Sequence, residues 1–345
     1  MFFASDNSGP VHGQVLDLLT QANQGFAMAY GADDLMDEVR ARLRDLFEAP
    51  EAAVYLVATG TAANSLALAT LSQPWQTVFC TRVAHIHEDE CNAPEFYSGG
   101  AKLTLVGDGD RMTPADLRSA IEAEETRGVH GPQRGPVSIT QVTERGTIYS
   151  LDQLNAVTKI AQDHGLPVHM DGARFANALV ALGCSPAEMT WKAGVDAVSF
   201  GGTKNGCMGV EAVIFFDPKH AWEFELRRKR GAHLFSKHRF LSAQMAAYLK
   251  DDLWLTCAQA ANAKCARLVD GLRTAGAEFL HESQANMVFA ALPRSTHERL
   301  FAAGAQYHLW GANLEGDNSE EMLTARFVCD WSISETDIDR FLRLL

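Results

Sequence analysis

Short apolar runs alternate with longer helical patterns over the first two thirds of the chain, and this alternation constrains the fold more than any other feature. The predicted strands are Val54–Val57, Thr77–Cys80, Lys102–Val106, Val137–Thr140, Pro167–Met170, Ala197–Phe200 and Ala212–Phe215. The predicted helices between them include Ala62–Leu71, Pro114–Glu125 and Leu151–His164. Strands that are apolar throughout and separated by helices are typical of a mostly parallel sheet covered by helices on both faces. The predicted fold class is therefore α/β.

The last third of the chain has a different pattern, in which strands and helices no longer alternate regularly. The predicted elements are a largely helical stretch over Ser242–Arg273 that stops at Gly276, strands at Met287–Leu292 and Thr324–Cys329, and a closing helix at Glu335–Leu345. Because 345 residues exceed one typical domain, we expect a large domain over 1–240, including an N-terminal arm, and a small α+β domain over 241–345. The glycine- and proline-rich segment Arg127–Pro136 is predicted to be a surface loop.

Charge and cysteine content narrow the class of function. The 43 acidic and 30 basic residues give a net charge of −13, which disfavours binding to nucleic acids and to anionic membrane surfaces. The N-terminus lacks the basic region of a signal peptide, and no apolar run approaches the roughly 20 residues of a membrane helix. The seven cysteines are scattered and form no CxxC pair, a pattern typical of reduced thiols. We therefore expect a cytoplasmic protein.

Two of the predicted strands lead into polar residues of complementary chemistry. Asp171 directly follows one strand, with Arg174 three positions later, and Lys204 follows the next strand in a glycine-rich turn. Ligands of α/β sheets bind beyond the carboxyl ends of the strands. A lysine that can form a Schiff base, and a carboxylate that can keep a pyridine nitrogen protonated, are groups that a pyridoxal 5′-phosphate (PLP) enzyme requires. The alternatives are a solvated lysine in a turn, a helix cap at Asp171 and a surface ion pair at Arg174.

Two segments between strands and helices add to this set. Thr59–Asn64 joins a strand to a helix, and the free N–H groups of a helix start can bind a phosphate; the alternative is an ordinary threonine cap. His85 could stack on a pyridine ring or transfer a proton. If its segment is a strand, His85 and His87 share one face and could instead bind a metal ion. The acidic residues after His87 also fit a solvated helix start.

One cluster of basic residues and one isolated arginine stand out in this acidic chain. Arg227–Arg230 is usually a solvated helix face, although in an oligomer it could reach a phosphate site of the neighbouring subunit. Arg326 lies within an apolar predicted strand, where it needs a partner. A substrate carboxylate provides bidentate geometry for that arginine, and a buried structural salt bridge is the alternative.

With these residues assembled, the chain resembles the L-threonine aldolase family, of the low-specificity type that acts on threonine and phenylserine. The resemblance covers nearly the whole chain, and its most specific segments are Ala29–Gly31, Thr59–Thr61, Ala84–Ile86, His169–Arg174 and Thr203–Lys204. It implies the PLP-dependent transferase-like fold, known as fold type I or the aspartate-aminotransferase fold. That fold consists of a large domain with a mostly parallel sheet and a smaller C-terminal domain.

The resemblance also implies roles for individual residues. Lys204 would carry PLP, His85 would stack on its ring, and Asp171 would pair with the pyridine nitrogen. Gly60 and Thr61 would hold the phosphate.

The substrate carboxylate would be bound by Ser5, Arg174 and Arg326, and Arg174 could also reach the cofactor. Tyr30 would line a pocket shared with a neighbouring subunit.

Two positions depart from the pattern of the family. Thr203 precedes the lysine where many members have serine, and the hydroxyl is retained. Glu144 stands where many members have a histidine in contact with the substrate hydroxyl. The second departure bears on the choice between threo and erythro substrates.

The predicted activity is PLP-dependent retro-aldol cleavage of L-threonine and related L-β-hydroxy-α-amino acids to glycine and an aldehyde. His85 and Glu90 are the candidate bases for the β-hydroxyl proton, and the reaction requires no metal ion. The alternatives are β-elimination or transamination on the same scaffold, a metal-dependent hydrolase that uses His85 and His87, and a catalytically silent PLP-binding protein. Active sites of this fold are usually built between subunits, so we expect a homo-oligomer, and the resemblance favours a homotetramer arranged as a dimer of dimers.

Overall fold

A computed structural model describes residues 1–345 as two β-sheets surrounded by helices. The larger sheet contains β1 (Ala53–Val57), β2 (Gln76–Cys80), β3 (Lys102–Leu105), β4 (Gln133–Thr140), β5 (Val168–Gly172), β6 (Ala197–Gly201) and β7 (Glu211–Phe215). The smaller sheet contains β8 (Glu278–Phe279), β9 (Met287–Pro293), β10 (His308–Leu309) and β11 (Met322–Val328). All the strands predicted from the sequence are therefore present.

The order of the larger sheet is β1-β7-β6-β5-β4-β2-β3. β7 pairs antiparallel with both β1 and β6, and every other neighbouring pair is parallel. The smaller sheet, in the order β10-β11-β9-β8, is antiparallel throughout. The predicted α/β class with a mostly parallel sheet is confirmed.

Fourteen α-helices connect and cover the sheets. They are α1 (Gly13–Ala22), α2 (Asp34–Leu46), α3 (Gly60–Leu71), α4 (His85–Glu88), α5 (Ala93–Ser98), α6 (Pro114–Ala123), α7 (Leu151–Asp163), α8 (Phe175–Leu182), α9 (Pro186–Met189), α10 (Ala221–Arg230), α11 (Arg239–Leu249), α12 (Leu253–Thr274), α13 (Arg294–Ala302) and α14 (Glu335–Leu342). No helix is long and apolar enough to cross a membrane.

Two predicted boundaries differ from the structure. The helical stretch over Ser242–Arg273 is two helices, because Asp251 and Asp252 adopt left-handed φ angles of 51° and 54° that interrupt the helical path. The predicted loop Arg127–Pro136 is shorter than expected, since β4 already begins at Gln133. The proline and glycine in this part of β4 are tolerated because residues 133–136 pair only with β2, and pairing with β5 begins at Val137.

Two separate apolar cores underlie the two sheets. The larger core packs side chains of β1, β6 and α12, such as Leu56, Phe200 and Trp254. The smaller core joins the last turns of α12 to the smaller sheet and α14, with Phe327 and Phe341 at its centre. Helix α12 contributes to both cores. The division of the chain at residue 240 stays a prediction.

The N-terminal arm packs against the C-terminal part of the molecule. The Phe3 ring is fully buried in the smaller core, 4.9 Å from the Phe341 ring centroid. The Phe3 N–H donates to the Gln306 carbonyl at 2.7 Å, and the Val328 N–H donates to the Phe3 carbonyl at 2.9 Å. These contacts fix the backbone three residues before Asp6, which consequently reaches the larger sheet.

Candidate active site

A cavity of about 260 Å³ opens at the carboxyl ends of the parallel strands of the larger sheet. Its wall is formed by residues at the carboxyl ends of four strands that run in the same direction: Gly60 after β1, Glu144 after β4, Asp171 near the end of β5 and Lys204 after β6. This is the position at which open α/β sheets bind ligands. The sequence motifs for Asp171 and Lys204 are thus brought to one cavity.

Asp171 is buried, and both of its carboxylate oxygens accept hydrogen bonds. Oδ2 accepts from Asn64 Nδ2 at 2.8 Å, and Oδ1 accepts from the Ala173 N–H at 2.9 Å. It does not cap the following helix, because α8 begins only at Phe175. The carboxylate is therefore held in one orientation at the cavity wall.

Lys204 lies in a tight turn directly after β6. No carboxylate lies within 4.0 Å of its amine, so the amine is not committed to a salt bridge. Burial, and then the Arg174 guanidinium, lower its pKa. A lower pKa increases the fraction of neutral amine, which is the nucleophilic form. The glycine before this turn is required, because a Cβ at Gly201 would lie 2.5 Å from the Ala173 carbonyl oxygen.

The loop between β1 and α3 provides free backbone donors. Thr59 Oγ1 caps α3 by accepting a hydrogen bond from the Ala62 N–H at 3.2 Å, so the threonine cap considered as the alternative is present. The N–H groups of Gly60 and Thr61 belong to the first turn of α3, where no intrahelical acceptor exists. A Cβ at Gly60 would meet no atom within 4 Å, so the space in front of these amides is open. The positive end of α3 thus faces the cavity with room for an anion.

A chain of hydrogen bonds connects Asp171 to His85. Asn64 bridges Asp171 and Glu90, since its Nδ2 also donates to Glu90 Oε1 at 2.9 Å. The same Glu90 oxygen lies 2.8 Å from His85 Nδ1. The hydrogen bond with Glu90 raises the pKa of His85. His85 lies on the cavity wall, whereas Glu90 lies behind it.

Asn64 belonged to the phosphate-loop motif but had no predicted role of its own. The sequence offered one indication, an amide within the otherwise small and apolar helix α3. Its side chain is buried, and its Oδ1 has no hydrogen-bond partner.

Two glutamates complete the wall. Glu144 Oε1 accepts from the His85 N–H at 2.7 Å and from Thr140 Oγ1 at 3.0 Å. Glu211, which the sequence interpretation missed, accepts the Gly202 N–H at 2.8 Å. Burial raises the pKa of each carboxyl to about 7. Glu211 is the first residue of the buried strand β7 and belongs to no motif that would have revealed it.

Arg174 forms a bidentate ion pair with Asp6, which is largely buried, whereas the alternative raised from the sequence was a surface ion pair. Its Nε and Nη2 donate to the two Asp6 oxygens at 2.7 and 2.9 Å. Asp6 also accepts from Asn286 Nδ2 at 3.1 Å. Arg174 lies on the cavity wall. The N-terminal arm, the larger sheet and the loop before β9 therefore meet at this arginine.

The remaining predicted residues lie further from the cavity. Arg326 stacks over the Trp310 ring at 5.8 Å and donates to the Ala4 carbonyl at 3.2 Å, while its buried Nε has no partner. Burial and the nearby Arg174 guanidinium lower the pKa of Arg326. Ser5 faces a separate surface groove, and its Oγ accepts from the Asn7 N–H at 3.1 Å.

Tyr30 lies on an exposed surface next to the basic cluster. Lys229 Nζ is 5.0 Å from its ring centroid, and its backbone has a left-handed φ of 60°. Within the cluster, Arg228 is buried and donates to Glu225 at 2.9 Å, whereas Lys229 and Arg230 are exposed. The structure of one chain does not bring Tyr30 or this cluster to the cavity.

The alternative metal site fails on geometry. His85 and His87 belong to helix α4 and not to a strand, and residues two positions apart on a helix point to different sides. His85 faces Glu90, and His87 is exposed. No group of three or more His, Cys, Asp and Glu side chains is arranged to hold a metal ion.

The residues of the cavity fit PLP. Free helix-start amides suit a phosphate, a buried and oriented carboxylate suits a pyridinium nitrogen, and an amine outside any salt bridge suits covalent attachment. Asn64 Oδ1 and Glu144 Oε2 are buried without a hydrogen-bond partner, so the site contains acceptors that no group of the chain satisfies.

Comparison with known proteins agrees with this chemistry. Residues 3–294 match the beta-eliminating lyase family. The chain is 42% identical to the low-specificity L-threonine aldolase of Pseudomonas aeruginosa, covering 99% of this chain and 95% of that protein. It is 40% identical to the low-specificity L-threonine aldolase of another Pseudomonas strain, covering 97% and 94%. The structure of Leishmania major threonine aldolase superimposes with a TM-score of 0.92 at 26% identity, covering 99% and 98% of the two chains.

These matches confirm the predicted resemblance, the fold type I architecture, the lyase class and the PLP cofactor. The chain belongs to the beta-eliminating lyase family, among its low-specificity L-threonine aldolases.

Proposed function

We propose that this protein cleaves L-threonine and related L-β-hydroxy-α-amino acids, such as phenylserine, to glycine and an aldehyde. The observation that carries the proposal is the meeting of Lys204, Asp171 and the Gly60–Thr61 amides at one cavity. The chain in which they meet is 42% identical to a low-specificity L-threonine aldolase along its length. Bound PLP supplies the electron sink for cleavage of the Cα–Cβ bond.

The cofactor-binding roles follow from the contacts at the cavity. Lys204 is the proposed attachment point, and Asp171 is the proposed partner of the pyridine nitrogen. The amides of Gly60 and Thr61 would hold the phosphate. His85 would lie against the ring, in an orientation fixed by its hydrogen bond to Glu90.

Arg174 and Arg326 would contribute differently to binding of the substrate carboxylate. Arg174 is already neutralised by Asp6, so its contribution is to orient a carboxylate that reaches it from the cavity or to contact the cofactor. Arg326 has an unpartnered Nε, which makes it the stronger candidate for the substrate carboxylate. Ser5 stays a proposed contact, in reach only if the N-terminal arm changes conformation on binding.

The two candidate bases differ in their suitability. Glu90 has no place on the cavity wall and would act through His85. A raised pKa keeps His85 protonated to higher pH, and a protonated imidazole cannot accept a proton. His85 therefore suits ring stacking and charge stabilisation better than removal of the β-hydroxyl proton.

We also propose a cytoplasmic homo-oligomer, in the form of a homotetramer with shared active sites. All seven cysteines are unpaired, as in proteins of reducing compartments. The exposed apolar side chains of Phe26, Met28 and Tyr30 lie on one segment, next to the exposed Lys229. Such a patch with a basic rim suits an interface that brings the cluster at 227–230 to a neighbour's phosphate site.

The test is a product analysis of the PLP-loaded protein with L-threonine and with phenylserine. Equal amounts of glycine and aldehyde are expected. Because the chain matches the beta-eliminating lyase family, β-elimination is the second candidate, and it would give ammonia and a keto acid instead. Ammonia without glycine would overturn the proposed aldolase activity.

A further inference from the structure

Glu144 is the one carboxyl group on the cavity wall with a free oxygen and no assigned role. Its Oε1 accepts two hydrogen bonds, from the His85 N–H and from Thr140 Oγ1. Its Oε2 is shielded from solvent and has no partner. The first oxygen therefore anchors the carboxyl, and the second has no partner within the chain.

The loop that carries Glu144 is firmly held. The hydroxyl groups of Thr143 and Thr147 both donate to Asp110 Oδ2, with a distance of 2.7 Å for Thr143. Between them, Gly146 has a φ of 80°, and a Cβ there would lie 2.8 Å from the Met287 carbonyl oxygen. A carboxyl on such a loop is preorganised, as a catalytic group needs to be.

The other carboxyl groups of the wall are committed elsewhere. Asp171 uses both oxygens within the chain, and Asp6, which lies behind the wall, is paired with Arg174. Glu211 is in register with Val57, three residues before Gly60, and it accepts the Gly202 N–H, so it lies toward the phosphate end of the cavity. Glu144 instead contacts His85, at the end where the ring and substrate would lie.

We infer that Glu144 is the base that accepts the β-hydroxyl proton of the substrate, at Oε2. This role rests on the proposed aldolase function. The O–H electron pair becomes the second bond of the aldehyde carbonyl as the Cα–Cβ bond breaks, and the electrons of that bond stay with the glycine fragment. A proton from water then adds at Cα, and Glu144 returns its own proton to water, so that no proton is gained or lost overall.

The charges around Glu144 set the pH at which it works. The groups that face it are Asp171, Arg174, the His85 backbone and, more remotely, Cys80 and Tyr149. Burial and then the Asp171 charge raise the pKa of Glu144 to about 7, near the pH at which a general base is most efficient. The carboxylate is the active form, so kcat/KM for cleavage rises as pH increases through about 7.

Glu144→Gln tests the role, because glutamine keeps the anchoring acceptor and removes the base. General acid–base groups typically contribute about 10²–10⁴ in rate, so threonine cleavage should fall by about that factor. The acidic limb of the pH profile should disappear with it. Exchange of the glycine α-proton with solvent deuterium should persist, since that reaction has no β-hydroxyl. Glu298→Gln, on the exposed face of α13, is the matched control and should behave as the parent.

Two further measurements test the role of Glu144 without relying on the cleavage rate of Glu144→Gln. Formate should restore part of the cleavage rate to Glu144→Ala by replacing the missing carboxylate. Infrared difference titration of the cofactor-free protein should show carboxylic acid absorption that is lost near pH 7, and the parent should lose more of it than Glu144→Gln, in which Glu211 still titrates there. A carboxyl that titrates near the ordinary value of about 4.3 would overturn the role.

The outcomes separate the two proposals. If the parent releases glycine and aldehyde but Glu144→Gln cleaves at the parental rate, the role of Glu144 is wrong and the aldolase function stands. If glycine exchange falls in parallel with cleavage, Glu144 is structural and the role is likewise wrong. A parent that exchanges the glycine α-proton yet releases no aldehyde would overturn the aldolase function and, with it, the role of Glu144.

Discussion

Both carboxylate oxygens of Asp171 accept hydrogen bonds within the chain, so Asp171 would act on a ligand mainly through the electrostatic effect of its charge. Asn64 and the Ala173 N–H orient the carboxylate without neutralising it. Asn64 in turn ties it to Glu90, and Glu90 ties it to His85. The groups proposed to contact the edge and the face of the cofactor ring are thus parts of one hydrogen-bonded unit.

Replacement of Asp171 by asparagine should keep the shape of the site and remove its charge. Loss of one preorganised electrostatic partner costs about 10²–10³ in rate, so kcat should fall by that factor while the protein stays folded. Steady-state kinetics together with the visible spectrum of the cofactor provide the measurement. Asp108→Asn, at an almost fully exposed side chain, is the control. Parental turnover in Asp171→Asn would leave Asp171 a purely structural acceptor.

The Asp6–Arg174 pair makes a prediction about stability. Removal of one partner from a buried ion pair typically costs about 3–5 kcal/mol, so Asp6→Asn should lower the free energy of unfolding in urea by about that amount at neutral pH. Asp37→Asn, which breaks the exposed pair with Arg40, should cost less than about 1 kcal/mol. Equal effects of the two variants would contradict the buried character of the Asp6 pair.

The same pair sets a pH dependence. Burial alone would raise the pKa of Asp6, but Arg174 and then Lys204 outweigh it, and the net pKa is lowered. A depressed pKa stabilises the fold above the unfolded value of about 3.9, and this contribution is lost as pH falls through the folded value. Urea titrations at a series of acidic pH values should therefore show the difference between the parent and Asp6→Asn shrinking as pH falls below about 4.

Among the secondary-structure elements, the start of α3 allows a substitution that should change PLP affinity without changing the stability of the fold. Gly60 has open space around it, so alanine there should not disturb the fold, yet its Cβ would stand where the phosphate is proposed to lie. Hydrogen bonds to charged groups contribute about 1.5–3 kcal/mol, so Gly60→Ala should weaken PLP binding by about tenfold or more with an unchanged melting temperature. Fluorescence titration of the cofactor-free protein measures the affinity.

Gly13→Ala is the matched control for this change. Gly13 also starts a helix and also has open space around it, but it lies away from the cavity. It should leave both PLP affinity and melting temperature unchanged. Unaltered affinity in Gly60→Ala would show that the phosphate binds elsewhere.

The strands and the residues at their ends were predictable because both depend on local sequence. A buried strand requires a continuous apolar run; Asp171 directly follows such a run, and Lys204 lies in the turn after another. The Asp6–Arg174 pair was not predictable, because it joins residues 168 positions apart through packing of the N-terminal arm. Glu90 illustrates the same limit: its place behind His85 follows from the turn after α4, which periodicity does not determine.

At the scale of the whole molecule, one chain leaves part of the proposed site uncovered. Tyr30 is about half exposed, Phe26 fully so, and neither reaches the cavity of its own chain. Closed symmetric assemblies commonly cover such surfaces. A second subunit that covered this patch would bring its exposed Lys229 and Arg230 toward a neighbouring chain.

The assembly should therefore be required for activity. Specific activity is expected to fall on dilution at the concentration at which light scattering shows loss of the oligomer. Phe26→Glu should shift both transitions to higher concentration, because a charge in an apolar interface is costly to bury. Val129→Glu, at an equally exposed apolar residue on the loop before β4, is the control. A fully active monomer would contradict the shared site and leave 227–230 a solvated helix face.

The site proposed at the carboxyl ends of the larger sheet binds PLP covalently through Lys204. Borohydride reduction of the PLP-loaded protein, followed by peptide mass spectrometry, tests this most directly, because reduction makes the lysine adduct permanent. We expect a single pyridoxyl group, on the peptide that contains Lys204, and none in Lys204→Ala. A stoichiometric adduct on any other lysine, or activity and an adduct retained in Lys204→Ala, would contradict it.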